Sequence, residues 1–331
     1  MNEVKLLIGG RDCDASDKAW FKRLNPVTGE VATRAAAATL DDADAACEAA
    51  AEAFPAWAEM GPNERRMLLL KAADLLDARA PEFIAYGVAE AGSAPMWYGF
   101  NAMLAASMLR EAASMTTQVA GEVIPSDVPG LMAMGIRQPA GVVLGIAPWN
   151  APVILGVRAI AMPLACGNTV VLKSSENCPA LHRLIGTVLQ EAGLPDGVVN
   201  VISNAPQDAA AVVERLIGHP AVRRVNFTGS TQVGRIIAQT AAKHLKPALL
   251  ELGGKNPLVV LDDADLDEAV QAAAFGSFFN QGQICMSTDR IIVRREIADE
   301  FVARLTEKTA SLCAGKPGEE GAVLAAMVDA K

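Results

Sequence analysis

Aromatic side chains are scarce in this chain: four Trp, two Tyr and nine Phe among 331 residues. Histidine is scarcer still. The only three, His182, His219 and His244, lie in helical or loop text away from every motif, which disfavours a Cys–His hydrolase. Positive charge is in deficit, with 29 Lys and Arg against 38 Asp and Glu and a net charge of −9. That balance argues against nucleic acid or an anionic membrane as the main partner. Long hydrophobic runs are missing: the stretch from Ala151 to Cys166 is broken by Arg158 and Pro163 and is too short to span a bilayer. The opening "MNEVKLLIGGRDCD" has no basic start, apolar stretch and cleavage site, so no signal peptide is expected. The six cysteines (13, 47, 166, 178, 285, 313) are scattered without metal-type pairing, so no metal is expected. Reduced thiols in a cytoplasm are the simplest account. The dinucleotide fingerprint G-x-G-x-x-G after a first strand is also absent.

What is present is apolar and alanine-rich: 51% hydrophobic and 20% charged. That composition suits a helix-rich soluble enzyme with a large core. The length suggests two domains, or one plus part of another. The first 40 residues read as two short strands around "NPVTGE". From Thr39 to about Ala120 apolar residues recur at helical spacing, and Pro62 sits where a helix's first turn tolerates it. "GEVIPSDVPGLMAMGIRQPAG" breaks that rhythm with three prolines and reads as an extended hairpin or arm. Then short Val-rich runs, "GVVLGIAP", "NTVVLKS", "GVVNVIS" and "RRVNFTGS", alternate with helical stretches, and "ALLELGG" adds a fifth strand. This alternation predicts βαβ units and a buried parallel sheet. A second unit begins near Lys255: strand "PLVVL", a helix, strand "RIIVR" and a helix.

In a parallel α/β sheet ligands sit at the carboxyl ends of the strands, and the chemically informative residues cluster there. "GSTQVG", Gly229 to Gly234, places small residues and a hydroxyl at a helix start. Backbone N–H groups and the helix dipole suit a pyrophosphate there; an ordinary strand–helix turn capped by Ser230 or Thr231 fits equally. "KSSE", Lys173 to Glu176, offers a cation and a carboxylate suited to ribose hydroxyls, or a solvated loop. Glu251 in "LLELGG" lies between apolar residues. Burial would raise its pKa and make it a general base; a glutamate satisfied by backbone donors is the alternative. Asn150 in "APWN" is an oxyanion donor or a turn residue. Cys285 follows the polar, glycine-broken turn Asn280-Gln281-Gly282-Gln283, which presents it as a nucleophile needing thiolate character and access, or it is an inert core thiol.

"APWN", "KSSE", "FTGSTQVG", "LELGGKNP" and "FNQGQICMS" occur in that order, with 34 positions (285 − 251) from Glu251 to Cys285. In these motifs the chain resembles the NAD(P)-dependent aldehyde dehydrogenase superfamily from end to end. "GQICMSTDRIIV", "GPNERRMLLLKAADLL" and "REAAS" look most like salicylaldehyde dehydrogenases and related aromatic aldehyde dehydrogenases of bacterial catabolism. The resemblance implies an α/β fold with a Rossmann-type parallel-sheet cofactor domain, residues 1–120 and 139–252. It implies an oligomerisation arm, 121–138, and a truncated α/β catalytic domain, 253–331. It implies Cys285 as the attacking thiol, Asn150 and the Cys285 N–H as oxyanion donors, and Glu251 as the base that activates water. Lys173 and Glu176 would hold the adenosine ribose of NAD, with Glu176 disfavouring NADP, and Ser230 a phosphate. Phe227, Gly229 and Val233 would line the cofactor groove, flanked by Ile146, Ala147, Pro148, Trp149 and Leu252. For the small-molecule aldehyde, Trp97, Arg158, Ile284 and Met286 form a candidate pocket, against an ion pair for Arg158 and core packing for Trp97.

The chain departs from the family pattern at Ser174, where proline is usual, at "NAPQDAA", where glycines are common, and by stopping at Lys331. The last departure is expected of a fragment of a longer enzyme, which as a whole would be a cytoplasmic homodimer or homotetramer. The expected reaction is oxidation of an aromatic, salicylaldehyde-like aldehyde to its acid through a thiohemiacetal and a thioester. The alternatives are another aldehyde (vanillin, benzaldehyde, an aliphatic one), a CoA-acylating dehydrogenase, a Cys-dependent esterase and an inactive NAD-binding fragment. The Glu251 base argues against CoA as acceptor.

Overall fold

The computed structural model describes residues 1–330. Five strands, rather than two, occupy the first 40 residues: β1 (Asn2–Val4), β2 (Leu6–Ile8), β3 (Arg11–Cys13), β4 (Trp20–Leu24) and β5 (Val31–Ala36). β4 and β5 flank "NPVTGE" as expected and form a small sheet with β1. The additional pair arises at Gly9 and Gly10, both at positive φ. Such a turn costs glycine little, and it folds β3 back on β2.

Four helices follow: α1 (Leu40–Glu59), α2 (Pro62–Ala78), α3 (Ala80–Ala91) and α4 (Pro95–Met115). Thr39 starts α1 with a reciprocal cap: its hydroxyl accepts from Asp42 N–H while the Asp42 carboxylate accepts from Thr39 N–H. α2, α3 and α4 each carry proline in the first turn, where its missing N–H is not needed. Alanines 72, 73, 102, 105, 106, 112 and 113 are buried, which lets α2 and α4 pack closely. β6 (Glu122–Ile124) and β7 (Ala133–Gly135) form the expected antiparallel hairpin; Val123, Met132, Met134 and Ile136 on it are exposed.

The parallel sheet is assembled by β8 (Val142–Ile146), α5 (Pro152–Ala165), β9 (Thr169–Lys173), α6 (Pro179–Ala192), β10 (Val199–Ile202), α7 (Ala209–Gly218), β11 (Val222–Gly229), α8 (Thr231–Lys243) and β12 (Ala248–Leu252). The strand order is β12-β11-β8-β9-β10-β2-β3, parallel from β12 to β10 and antiparallel beyond. The chain adds β9 and β10 on one side of β8, then crosses to add β11 and β12 on the other. That reversal opens a crevice at the carboxyl ends of β8 and β11. β8, β9 and β10 are buried along their whole length, as a sheet covered on both faces requires. β13 (Asn256–Val260), α9 (Leu266–Phe278), β14 (Thr288–Val293) and α10 (Arg295–Ala310) form the second unit. Its two strands are parallel around a small core of Val260, Val270, Ala273 and Phe301. Among the described residues no helix is long and apolar enough to cross a membrane.

A buried carboxyl starts α6. Its N-cap residue, Cys178, supplies no side-chain acceptor, so the first free amides need one from elsewhere. Glu90, fully buried at the end of α3, accepts from Ala180 N–H at 2.9 Å and Leu181 N–H at 3.2 Å. Burial pushes its carboxyl up to about 7, against the opposing pull of those amides. A folded-state pKa above the unfolded one gives a contribution present at low pH and lost as pH rises through about 7. Glu90→Gln is therefore expected to flatten the fall in urea midpoint between pH 5 and pH 8. An unchanged slope contradicts this account of Glu90.

Candidate active site

A cleft of about 710 Å³ opens where the sheet order reverses. Ile146 to Trp149, with Lys173 and Glu176, form one wall; Phe227, Gly229, Ser230 and Val233 form the other. Lys173 is buried and ion-paired to Glu176, and the carboxylate also accepts from the Asn204 amide at 3.0 Å. The two groups of "KSSE" are thus held together, not solvated apart. Ser230 caps α8 and accepts from Val233 N–H at 3.3 Å. Gly229 allows the chain to cross the Phe227 ring: a Cβ there would lie 2.5 Å from it. Leu252 sits differently from these residues. It lies outside the cleft wall, packed behind α8 where the missing side chain of Gly234 makes room for it.

A second cavity of about 490 Å³ adjoins the first and shares Pro148, Trp149 and Gly229 with it. Asn150, Glu251 and Cys285 all line this second cavity. Cys285 is exposed at the tip of a turn, the presented thiol that the sequence predicts. The turn is strained: Asn280 and Gln281 have φ of 49° and 57°, and Gly282 follows at 72°. Two consecutive non-glycine residues in the left-handed region cost roughly 1–3 kcal/mol each. They persist because the turn is gripped from both sides. Asn150 donates its amide to the Gln283 carbonyl at 3.0 Å, and Asn256 donates to the Cys285 carbonyl at 2.7 Å.

Glu251 does not fit the expectation of a buried carboxyl. It is exposed, because β12 is the edge strand and only Thr228 of β11 lies beside it. Trp97 is also corrected. It is 3% exposed in the main core and does not line the cavity around Cys285. Its indole donates to the Asn150 carbonyl at 2.9 Å, and its ring meets Phe279 edge-on at 5.1 Å, so it braces the site from behind. Arg158 stands behind the cavity wall and donates to the Thr228 hydroxyl at 3.0 Å. Ile284 lines the cavity and packs inward. Met286 is 79% exposed and outside the wall, because the turn tip carries it toward solvent.

Several wall residues escape the sequence reading: Thr228, Gln283, Gly253 and the segment Met327–Asp329. Thr228 and Gln283 lie inside the motifs "FTGSTQVG" and "FNQGQICMS". Met327–Asp329 carry no local signal. They reach the site because Gln283 accepts from Val328 N–H at 3.1 Å and Arg23 donates to the Val328 carbonyl at 2.8 Å.

The structure thus places a parallel α/β sheet, with a cleft at its reversal point, beside an exposed cysteine, an amide and a carboxylate that line an adjoining cavity. The model of the aldehyde dehydrogenase family matches residues 13–331. A vanillin dehydrogenase of Pseudomonas fluorescens is 70% identical over 330 residues, covering 100% of this chain and 68% of the relative. A salicylaldehyde dehydrogenase of Pseudomonas putida is 53% identical, covering 95% of this chain and 65% of the relative. The crystal structure of a salicylaldehyde dehydrogenase from Pseudomonas putida G7 complexed with salicylaldehyde superimposes with a TM-score of 0.97 at 51% identity, covering 99% of this chain and 68% of that one. The chain belongs to the aldehyde dehydrogenase family, an oxidoreductase family, and spans about two thirds of the length of these relatives.

Gly282→Ala tests the turn. The substitution puts a Cβ at a φ of 72° and 3.0 Å from the Ser277 carbonyl oxygen. It is expected to cost about 1 kcal/mol or more and to alter the rate of iodoacetamide labelling at Cys285 read by mass spectrometry. Unchanged stability and labelling rate contradict it.

Proposed function

We propose that this chain carries the machinery for oxidising a phenolic benzaldehyde, of the salicylaldehyde or vanillin type, to its carboxylic acid with NAD. The observation that carries the reading is the meeting of Asn150, Glu251 and Cys285 on one cavity wall, adjoining the cleft that holds Lys173 and Glu176. The likeness to vanillin and salicylaldehyde dehydrogenases supports the aromatic class.

The cleft fits a dinucleotide by its chemistry: a buried cation and carboxylate on one turn, the N-terminus of α8, and a glycine surface over Phe227. Lys173 and Glu176 would hold the adenosine ribose, and the Glu176 carboxylate would repel a 2′-phosphate, favouring NAD over NADP. When bound, the nicotinamide supplies the hydride acceptor for conversion of the cysteine adduct to a thioester. The chain's own residues do the rest. Cys285 attacks the carbonyl carbon, and the resulting oxyanion accepts hydrogen bonds from the Cys285 N–H and the Asn150 amide. The Asn150 NH₂ has two hydrogens, so the donation to Gln283 leaves one for substrate. Glu251, open to solvent at the cavity rim, takes a proton from water as that water attacks the thioester, and Cys285 leaves as the thiolate.

In this reading residues 1–120 and 139–252 form the cofactor domain, and 253–331 belong to the catalytic domain. Residues 121–138 would be an arm whose exposed Val123, Met132, Met134 and Ile136 seek cover in a homodimer or homotetramer. Arg158 would reach a substrate phenolate through the wall at Thr228.

Cys285→Ala is expected to abolish NADH formation from salicylaldehyde or vanillin. Glu251→Gln is expected to retain one equivalent of NADH per site and to lower steady turnover by about a hundredfold or more. A parent that forms NADH equally well without Cys285 refutes the assignment. Arg158→Ala is expected to lower kcat/KM for both phenolic aldehydes relative to benzaldehyde; an unchanged ratio removes Arg158 from the substrate site.

A further inference from the structure

We propose that His182 is a positioning residue for the cofactor site: its imidazole locks the Lys173–Glu176 turn to the start of α5, two residues after Asn150. The inference rests on the reading of the cleft as a dinucleotide site.

His182 lies in the first turn of α6 and is fully buried. Ser175 N–H donates to its Nδ1 at 3.1 Å. A backbone amide can only donate, so Nδ1 is the bare nitrogen and Nε2 carries the proton. Nε2 in turn lies 3.1 Å from the Pro152 carbonyl oxygen, which can only accept. The partners fix the tautomer. Ser175 sits between Lys173 and Glu176, the ion pair on the cleft wall. Pro152 is the first residue of α5 and follows Asn150, whose amide grips the cysteine turn. One rigid ring thus spans the two loops that present the nucleotide-binding pair and the oxyanion amide.

The fold makes room for this bridge. A Cβ at Gly156 on α5 would lie 3.1 Å from the imidazole Cδ2 and 2.6 Å from Ile185 Cδ1, so glycine there lets α5 settle onto α6. Ser174 adds its hydroxyl, 3.1 Å from Nδ1; proline at that position would have no such group. Burial, with Lys173 nearby, drives the ring's pKa down to about 3. The bridge is therefore neutral and adds no repulsion to Lys173.

Three variants separate positioning from mere core packing. His182→Asn can offer an amide oxygen near the Nδ1 position and so accept from Ser175. His182→Gln can reach the Pro152 carbonyl but leaves Ser175 N–H without its acceptor. His182→Ala loses both. NAD affinity is measured by calorimetry on the whole chain, alongside Tm, with Lys173→Ala as the control for the cofactor reading. All three His182 variants are expected to lower Tm. The Kd for NAD is expected to rise about tenfold in the Ala and Gln variants and to recover within a few-fold of the parent in the Asn variant. A parent that binds NAD, is weakened by Lys173→Ala, and whose Kd does not follow the loss and recovery of the Ser175 acceptor overturns this inference alone. A parent that binds no NAD, or is indifferent to Lys173→Ala, overturns the cofactor reading and this inference with it. Should the Ala variant fail to fold, the Asn–Gln contrast decides the question.

Discussion

The amide of Asn150 is the tie on which the rest of the site depends. It donates to the Gln283 carbonyl, while the backbone carbonyl of Asn150 accepts from the Trp97 indole and from the Asn280 side-chain amide at 3.4 Å. Three parts of the chain distant in sequence meet at one residue: helix α4, the loop after β8 and the turn before Cys285. The turn alone would not hold its shape. Its left-handed Asn280 and Gln281 are costly, and Asn280 Oδ1 and Gln281 Nε2 are buried without a hydrogen-bond partner. A segment this unfavourable persists only where its surroundings overdetermine it, and here they do so from both the parallel sheet and β13. Strain and buried polar atoms gather in the turn that presents Cys285, as is common where geometry is held for function.

The parallel sheet was legible because its pattern is local. Val-rich runs of strand length, spaced by helical stretches, leave few topologies once right-handed crossovers are required. Placement of the cleft followed, since the order of strands determines where the crevice opens. The errors share a cause: each depends on contacts between distant segments. Glu251 reads as buried because Leu249, Leu250 and Leu252 surround it in sequence, yet β12 is an edge strand and its outward side is open. Trp97 admits both a pocket and a core-packing reading in the sequence, and only the carbonyl its indole finds in the core decides between them. The pairing of β2 and β3 with the large sheet had too little sequence, three residues per strand, to announce itself.

Polar side chains from distant segments do the work of absent caps in this protein. α6 begins at a cysteine that offers its first turn no acceptor, and Glu90 reaches across from α3 to accept those amides. Lys246 likewise donates to the carbonyl oxygens of Ile217 and His219 at the end of α7, where a helix leaves carbonyls unpaired. Arg65 donates to the Ala165 carbonyl at 3.2 Å at the end of α5. In each case a long side chain from another element satisfies a helix terminus, so helix ends are also the joints between layers. An ordinary local cap, such as Thr39 on α1, stabilises one helix. These distant caps stabilise a helix and its position together.

The same substitution of distant for local partners leaves two buried titratable groups, His182 and Glu90, at the start of α6. Burial holds the His182 ring neutral, with a pKa near 3, and pushes the Glu90 carboxyl to about 7. Their linkage has opposite sign. An unfolded histidine takes up a proton as pH falls below about 6.5, so the stability associated with His182 is present above that pH and is lost on acidification toward 3. Glu90's contribution is present below the unfolded carboxylate range and is lost as pH rises through about 7. Both groups serve α6, one at its first amides and one within its first turn. The helix that carries the turn-locking imidazole is therefore opposed by acid through one residue and by base through the other, and the two terms partly cancel between pH 4.5 and 6.5. Above that interval His182 contributes nothing further to the slope, and the ionisation of Glu90, beside Arg23 and the amides of α6, is what the first turn must absorb.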